Sequence, residues 1–258
     1  MTALSLGNQS VKIDKGELVS YSVAGYEFIH QKGSPGWRNA DTEMFPIIGP
    51  TNEANFKVMT PKGAAIQDQH GLLRELTYDG IHQTETKAVF EKKYVANTAI
   101  KNSKFPAKST EEKLAWPYDF QFQKSFELKE NGLAIVFNIA GETDMPFMLG
   151  YHPAFKLRSK KPTISTAVKS ITLDEVMAVG SRAFQVTNCE RIVLEDQQPL
   201  EITTHGFGHF MLWTEVSNMV CIEPISFYPY AVPQKELHAG FQELSAQPKE
   251  FRVLLKPL

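Results

Sequence analysis

Phe120-Gln121-Phe122-Gln123-Lys124-Ser125-Phe126-Glu127-Leu128 alternates apolar and polar residues, with Lys124 the exception on the apolar face. A period of two is the signature of a half-buried strand. Asn131-Gly132 follows, the dipeptide best suited to a two-residue turn with positive φ at both positions. Leu133 to Ile139, rich in Ile, Val and Phe, reads as the returning strand, so the segment is a β-hairpin. Outward from it, further strands are expected at Ser10 to Ile13, Leu18 to Ile29, Thr86 to Tyr94, Arg191 to Leu194, His209 to Thr214, Met219 to Glu223 and Glu250 to Leu255. Helical periodicity is scarce; the polar loop Lys101 to Leu114 leaves room for a short helix at Thr110 to Leu114. Many short strands at frequent turns predict an all-β chain folded as a large antiparallel β-sandwich. No repeat, low-complexity tract or linker divides it, so residues 1–258 are read as one domain.

The 258 residues are 42% hydrophobic and 22% charged, with a formal net charge of -2. That balance gives no electrostatic reason to expect nucleic acid or an anionic membrane as partner. The two cysteines, Cys189 and Cys221, make neither a disulfide framework nor a zinc pattern, and they suit a reducing cytosol. Met1 to Lys12 lacks the basic and apolar regions of a secretory signal. No stretch approaches the ~20 apolar residues of a membrane span. The expectation is a cytoplasmic protein.

Four segments are unlike ordinary strand or loop. Glu223 closes the apolar run Val220-Cys221-Ile222 and precedes Pro224, which forces an extended backbone on it. Partial desolvation there would raise its pKa and suit a general base; the alternative is a solvated carboxylate that closes a strand. His152, between Gly150-Tyr151 and Pro153, is either a proton-exchanging group at a pocket or a core histidine bonded to backbone. His70-Gly71-Leu72-Leu73-Arg74 and Met44-Phe45-Pro46-Ile47-Ile48-Gly49-Pro50, preceded by Trp37-Arg38, are the other two. His205 and His209 lie four apart, but Gly206 and Gly208 oppose a helix and no third ligand is near, so no metal is expected. His30, His82 and His238 have no recognisable context. Phosphate-loop, dinucleotide and Gly-x-Ser-x-Gly signatures are missing.

Taken together and in order, these blocks resemble the aldose 1-epimerase (galactose mutarotase) family, most closely its shorter LacX-like bacterial branch. The resemblance rests on Phe45-Pro46-Ile47-Ile48-Gly49, His70-Gly71-Leu72-Leu73-Arg74, Gly150-Tyr151-His152-Pro153-Ala154-Phe155 and Ile222-Glu223-Pro224. It implies a β-supersandwich with a sugar pocket on one concave sheet face. It also implies interconversion of the α and β anomers of an aldose, with Glu223 as base and His152 as acid. His70 and Arg74 would bind the sugar, or in the case of Arg74 a phosphate on it. Trp37 and Tyr118 are candidates to stack on a sugar face. The family often has an arginine soon after the first glycine block; here Pro50-Thr51-Asn52-Glu53 stands there, and Arg38 is the upstream substitute. Asp174 is the candidate, by position, for an aspartate that binds a sugar diol. No metal or organic cofactor is required. A hexose-phosphate mutarotase and a non-catalytic carbohydrate-binding or sensing domain are the competing readings. A glycoside hydrolase would want two carboxylates about one bond, and only Glu223 is nominated.

Overall fold

A computed structural model describes residues 1–258. The hairpin forms as β12 (Phe120–Lys129) and β13 (Gly132–Gly141), in the interior of a nine-stranded antiparallel sheet. On one side of it lie β9 (Lys87–Tyr94) and β8 (Asp79–Gln83). On the other lie β25 (Lys249–Pro257), β21 (Leu200–His205), β20 (Arg191–Glu195), β17 (Thr163–Ser165) and β18 (Ser170–Thr172). A second sheet runs β19 (Phe184–Val186), β22 (His209–Trp213), β23 (Met219–Ile225), β15 (Gly150–Tyr151) and β5 (Glu43–Met44). There β16 (Ala154–Lys156) also pairs with β23. A four-stranded N-terminal sheet comprises β1 (Thr2–Leu6), β2 (Gln9–Asp14), β3 (Glu17–Val23) and β4 (Tyr26–Glu27). Three two-stranded ribbons complete the set: β6 (Lys57–Thr60) with β7 (Gly63–Ile66), β10 (Ile100–Lys101) with β11 (Lys113–Leu114), and β14 (Pro146–Phe147) with β24 (Gln242–Glu243). The sheets enclose one connected cluster of 59 buried apolar residues. No helix is long and apolar enough to cross a membrane.

Several local expectations are corrected. The turn of the central hairpin is displaced by one residue: Lys129 pairs with Gly132, so Glu130 and Asn131 are its central pair. Gly132 is needed for another reason, since a Cβ there would lie 2.2 Å from the Leu255 carbonyl oxygen on the adjacent strand. Leu18 to Ile29 is not one strand; Ala24 and Gly25 both take positive φ (50° and 81°) and turn β3 back into β4. No helix forms at Thr110 to Leu114. The Asn102 amide instead gathers that loop, donating to Ser109 Oγ and the Glu111 carbonyl, and β11 pairs with β10. The one α-helix, α1 (Leu173–Val179), has a capping box in which Thr172 and Glu175 exchange hydrogen bonds. The Thr172-x-x-Glu175 spacing is the sequence signature of that helix start.

Lys124 is the most informative residue of the hairpin. All of Phe120, Phe122, Lys124, Phe126 and Leu128 are buried, so the lysine does point into the core. Its Nζ meets Asp41 Oδ2 at 2.7 Å and Glu43 Oε1 at 2.6 Å. Tyr151 Oη donates to the same Asp41 oxygen at 2.7 Å. Burial lowers the lysine pKa, but the two carboxylates outweigh it and hold the ammonium above its ordinary value. The cation thus ties β12 of the large sheet to the β5 segment of the second sheet. Removing one member of a buried ion group strands the others without compensation. Lys124→Ala is therefore expected to cost ~3–5 kcal/mol of unfolding free energy, measured by urea denaturation; a loss below ~1 kcal/mol, the range of surface pairs, would show that the cluster does not form.

Candidate active site

The two X-Pro dipeptides singled out in the sequence face each other. β23 pairs with β15 at Gly150–Ile225 and with β16 at Ala154–Cys221. Between those points lie His152-Pro153 on one chain and Glu223-Pro224 on the other. Neither proline has an N–H to donate, so the ladder is interrupted there. On its other side, the His152 N–H donates to the Thr42 carbonyl at 2.8 Å, and the Thr42 N–H donates back at 3.2 Å. Glu223 does not close its strand, as expected above; β23 continues to Ile225, with Met211 opposite Glu223 and Trp213 opposite Cys221. Opposed residues share a sheet face, and so do residues two apart. Glu223, Met211, Trp213 and Cys221 therefore share one face of the sheet; the first three line the cleft and Cys221 is buried below it.

Across the gap, His152 Nε2 lies 3.3 Å from Glu223 Oε1. Glu223 is 1% exposed and has no other polar side-chain partner. The Trp37 ring lies against His152 with centroids 4.2 Å apart, and Trp213 stands 6.3 Å away. The Trp37 loop is pinned by two contacts. His30 Nε2 meets the Trp37 carbonyl at 2.9 Å, and the Trp37 N–H points at Met219 Sδ at 3.4 Å. His30, without context in the sequence, thus has a positioning role.

His70 enters from the first two sequence blocks, which interlock. Its N–H donates to the Gly49 carbonyl (3.1 Å), and its own carbonyl accepts from the Phe45 N–H (3.1 Å). The turn requires positive φ at both His70 (70°) and Gly71 (76°). A Cβ on Gly71 would sit 2.2 Å from the Phe45 carbonyl oxygen, which excludes any other residue there. The Gly49 N–H donates to His70 Nδ1 at 3.2 Å, which leaves the ring proton on Nε2. Arg74 donates weakly to the Gln69 carbonyl at 3.4 Å.

His152, Glu223, His70, Arg74 and Trp37 line one cavity of about 550 Å³. Trp213, Tyr230, Ser181 and Lys108 also line it and were missed as wall residues. Only Trp213 had a signal, its place on the strand preceding Glu223. Three candidates lie elsewhere. Arg38 is exposed and outside the cavity wall, although it neighbours Trp37. Asp174 is an exposed residue in the first turn of α1. Tyr118 is buried in the core, with Lys62 Nζ 4.3 Å over its ring.

Burial controls the charges. It pushes the Glu223 carboxyl well above the ordinary carboxylate range. It also pushes His152 down to about 3, with Arg74 adding to the effect. Burial, followed by Arg74, His152 and Lys104, keeps His70 well below its usual value, so His70 is a neutral Nε2–H donor. In the free cleft the proton of the His152–Glu223 contact therefore sits on the carboxyl.

This all-β sandwich, with a histidine–glutamate pair on the floor of a polar, aromatic-walled cleft, agrees in fold with what the comparisons with known proteins find. The chain belongs to the aldose 1-epimerase family, whose model matches residues 58–222. No curated protein matches it in sequence. Among solved structures it is similar to a galactose mutarotase-like protein from Lactobacillus casei, with a TM-score of 0.80, 16% identity and 100% of each chain covered. It is also similar to a galactose mutarotase related enzyme from Lactobacillus acidophilus (TM-score 0.78, 18% identity, 98% of this chain and 96% of that one). The Slr1438 protein from Synechocystis follows, with a TM-score of 0.68, 21% identity and coverage of 96% and 91%. At these identities the likeness is one of fold.

The shifts act on stability with opposite signs. Glu223 keeps its proton in the fold above its ordinary value of 4.5, so stability falls as pH rises from there toward its raised folded value. His152 stays neutral in the fold, so its share of stability is lost as pH falls from 6.5 to about 3. Glu223→Gln removes the first effect alone. Its unfolding free energy relative to the unmutated protein should therefore increase with pH above 4.5, by at most about 1.4 kcal/mol per pH unit. Denaturation at a series of pH values measures this; a flat or declining difference would mean that Glu223 is not desolvated.

Proposed function

We propose that the protein is an aldose 1-epimerase that interconverts the α and β anomers of a hexose, acting in the cytoplasm as one domain over residues 1–258. The observation that carries the reading is the 3.3 Å contact between His152 Nε2 and Glu223 Oε1 at the floor of the cleft. Glu223, as carboxylate, takes the proton of the anomeric hydroxyl while His152, as imidazolium, protonates the ring oxygen. The ring opens to the aldehyde, the C1 end rotates, and closure on the other carbonyl face runs with the roles reversed. Each positioned transfer is worth about 10²–10⁴-fold.

The charge state of the free cleft bears on this path. With the sugar ring closed, the pair must be carboxylate and imidazolium. With the ring open, it is carboxylic acid and neutral imidazole. Burial favours the second state, so the site is electrostatically suited to the open-chain intermediate. The Trp37 ring against His152 compensates the first state through cation–π attraction, ~0.5–2 kcal/mol. His70, holding its proton on Nε2, donates to a sugar hydroxyl or to the developing carbonyl. None of these steps calls for a metal or an organic cofactor.

A second reading concerns the substrate. Arg74 and Lys108 both line the cleft, and Arg74 bonds only one carbonyl. The lining also holds the carboxylates Glu215 and Glu223; a phosphate ester reaching Arg74 and Lys108 would meet both cations of the cleft.

Polarimetry of freshly dissolved α-D-galactose and α-D-glucose should show faster approach to the anomeric equilibrium with the protein present. Glu223→Gln should lower the catalysed rate about 10²–10⁴-fold with sugar affinity nearly unchanged. Sugar binding without acceleration would mean a carbohydrate-binding domain instead. For the phosphate reading, Arg74→Met should raise KM for a hexose phosphate about tenfold or more, with the free hexose little affected; equal effects on both would remove it.

A further inference from the structure

Cys221 is not needed by the reaction above, yet it faces the same side of β23 as Glu223, two residues away. It is fully buried beneath the cleft floor, between Ala154 and Met219, under Trp37 and Trp213. One ligand atom each from His152, Cys221 and Glu223 all lie within 4.8 Å of one another. Of the two ring nitrogens of His152, Nε2 is the one that faces Glu223.

This is the donor set of a three-ligand zinc site: one imidazole, one thiolate and one carboxylate. Ideal bonds of about 2.0–2.1 Å to nitrogen and 2.0–2.2 Å to oxygen place those two atoms about 3.3 Å apart on a tetrahedral edge. The His152–Glu223 separation is that distance already, 3.3 Å. A Zn–S bond of about 2.3 Å requires sulfur edges of about 3.5 Å, and the three ligand atoms already lie within 4.8 Å of one another. His152 and Glu223 both line the cleft, so water or another small ligand from it would complete the shell. Thiolate, carboxylate and neutral imidazole bring two negative charges to a dication, so the filled site is neutral inside a buried environment.

We propose that His152, Cys221 and Glu223 bind one borderline-soft divalent cation, Zn²⁺ in kind, and that this occupancy blocks the acid/base pair. The metal takes the lone pairs of Nε2 and Oε1 that proton transfer uses. The thiol proton, and the carboxyl proton where present, leave to solvent. The metal is an inhibitor here, and a cell that controls free zinc controls the site with it. The inhibition rests on the mutarotase reading; the binding does not.

The experiment uses Co²⁺ as a spectroscopic probe and Zn²⁺ in competition. Cys189, half-buried with its Sγ 3.2 Å from the Arg191 carbonyl oxygen, is the only other thiol. In Cys189→Ser, added Co²⁺ should give a thiolate-to-cobalt charge-transfer band at one equivalent, displaced by Zn²⁺. In Cys221→Ser the band should vanish, with zinc affinity at least about tenfold weaker. Where mutarotation is measurable, Zn²⁺ should slow it, a chelator should restore it, and Cys221→Ser should keep its rate and resist the metal. No band in Cys189→Ser overturns the site, whether or not Cys221→Ser folds. So does metal binding that Cys221→Ser leaves unchanged.

Discussion

One buried ammonium holds the two main sheets together where the chemistry is placed. Lys124 leaves the middle of the large sheet and ends between Asp41 and Glu43. Thr42 lies between those two carboxylates, and its backbone is doubly bonded to His152. Tyr151, beside His152, closes the cluster by bonding Asp41. The position of the imidazole therefore depends on a core charge cluster rather than on a surface loop. A buried ion group is a poor source of net stability. Its use here is directional, because it fixes which stretch of β5 meets which stretch of β12.

The second constraint is a subtraction. Pro153 and Pro224 withdraw two donors from the ladder between β15/β16 and β23. The register sets residues 152 and 223 opposite each other on one sheet face, so their side chains meet. The pairing of the four motif blocks follows the same economy. The first two interlock through His70 and Gly49, and the last two through the proline gap. Gly150, opposite Met44, joins the two halves.

Much of this was legible in the sequence. The alternation of Phe120 to Leu128 gave the central strand, and β-rich patterning gave the sandwich. The motif blocks gave the family and four residues that do converge, His70, Arg74, His152 and Glu223. What was not legible is long-range. Lys124 broke the alternation and looked like an exception, because its partners lie more than eighty residues upstream. Asp174 and Arg38 were placed by linear position, and a helix and a loop carry them away from the cleft. Lys108 reaches the cavity wall only through tertiary packing. The strand period already puts Cys221 on the face of Glu223; what the sequence does not show is that His152, far upstream, joins them there.

The inward lysine also affects the chain before it is folded. Phe-x-Phe-x-Lys-x-Phe-x-Leu without its charge would be a flat, aromatic, strongly β-prone segment of the kind that stacks with copies of itself. A charge in the middle of such a run acts as a gatekeeper, since burying it in a foreign sheet finds no carboxylate to receive it. Only the native arrangement supplies Asp41 and Glu43 together. The residue that joins the sheets in the finished molecule thus protects the nascent hairpin from the wrong neighbours, and solubility during synthesis and positioning of the imidazole depend on the same side chain.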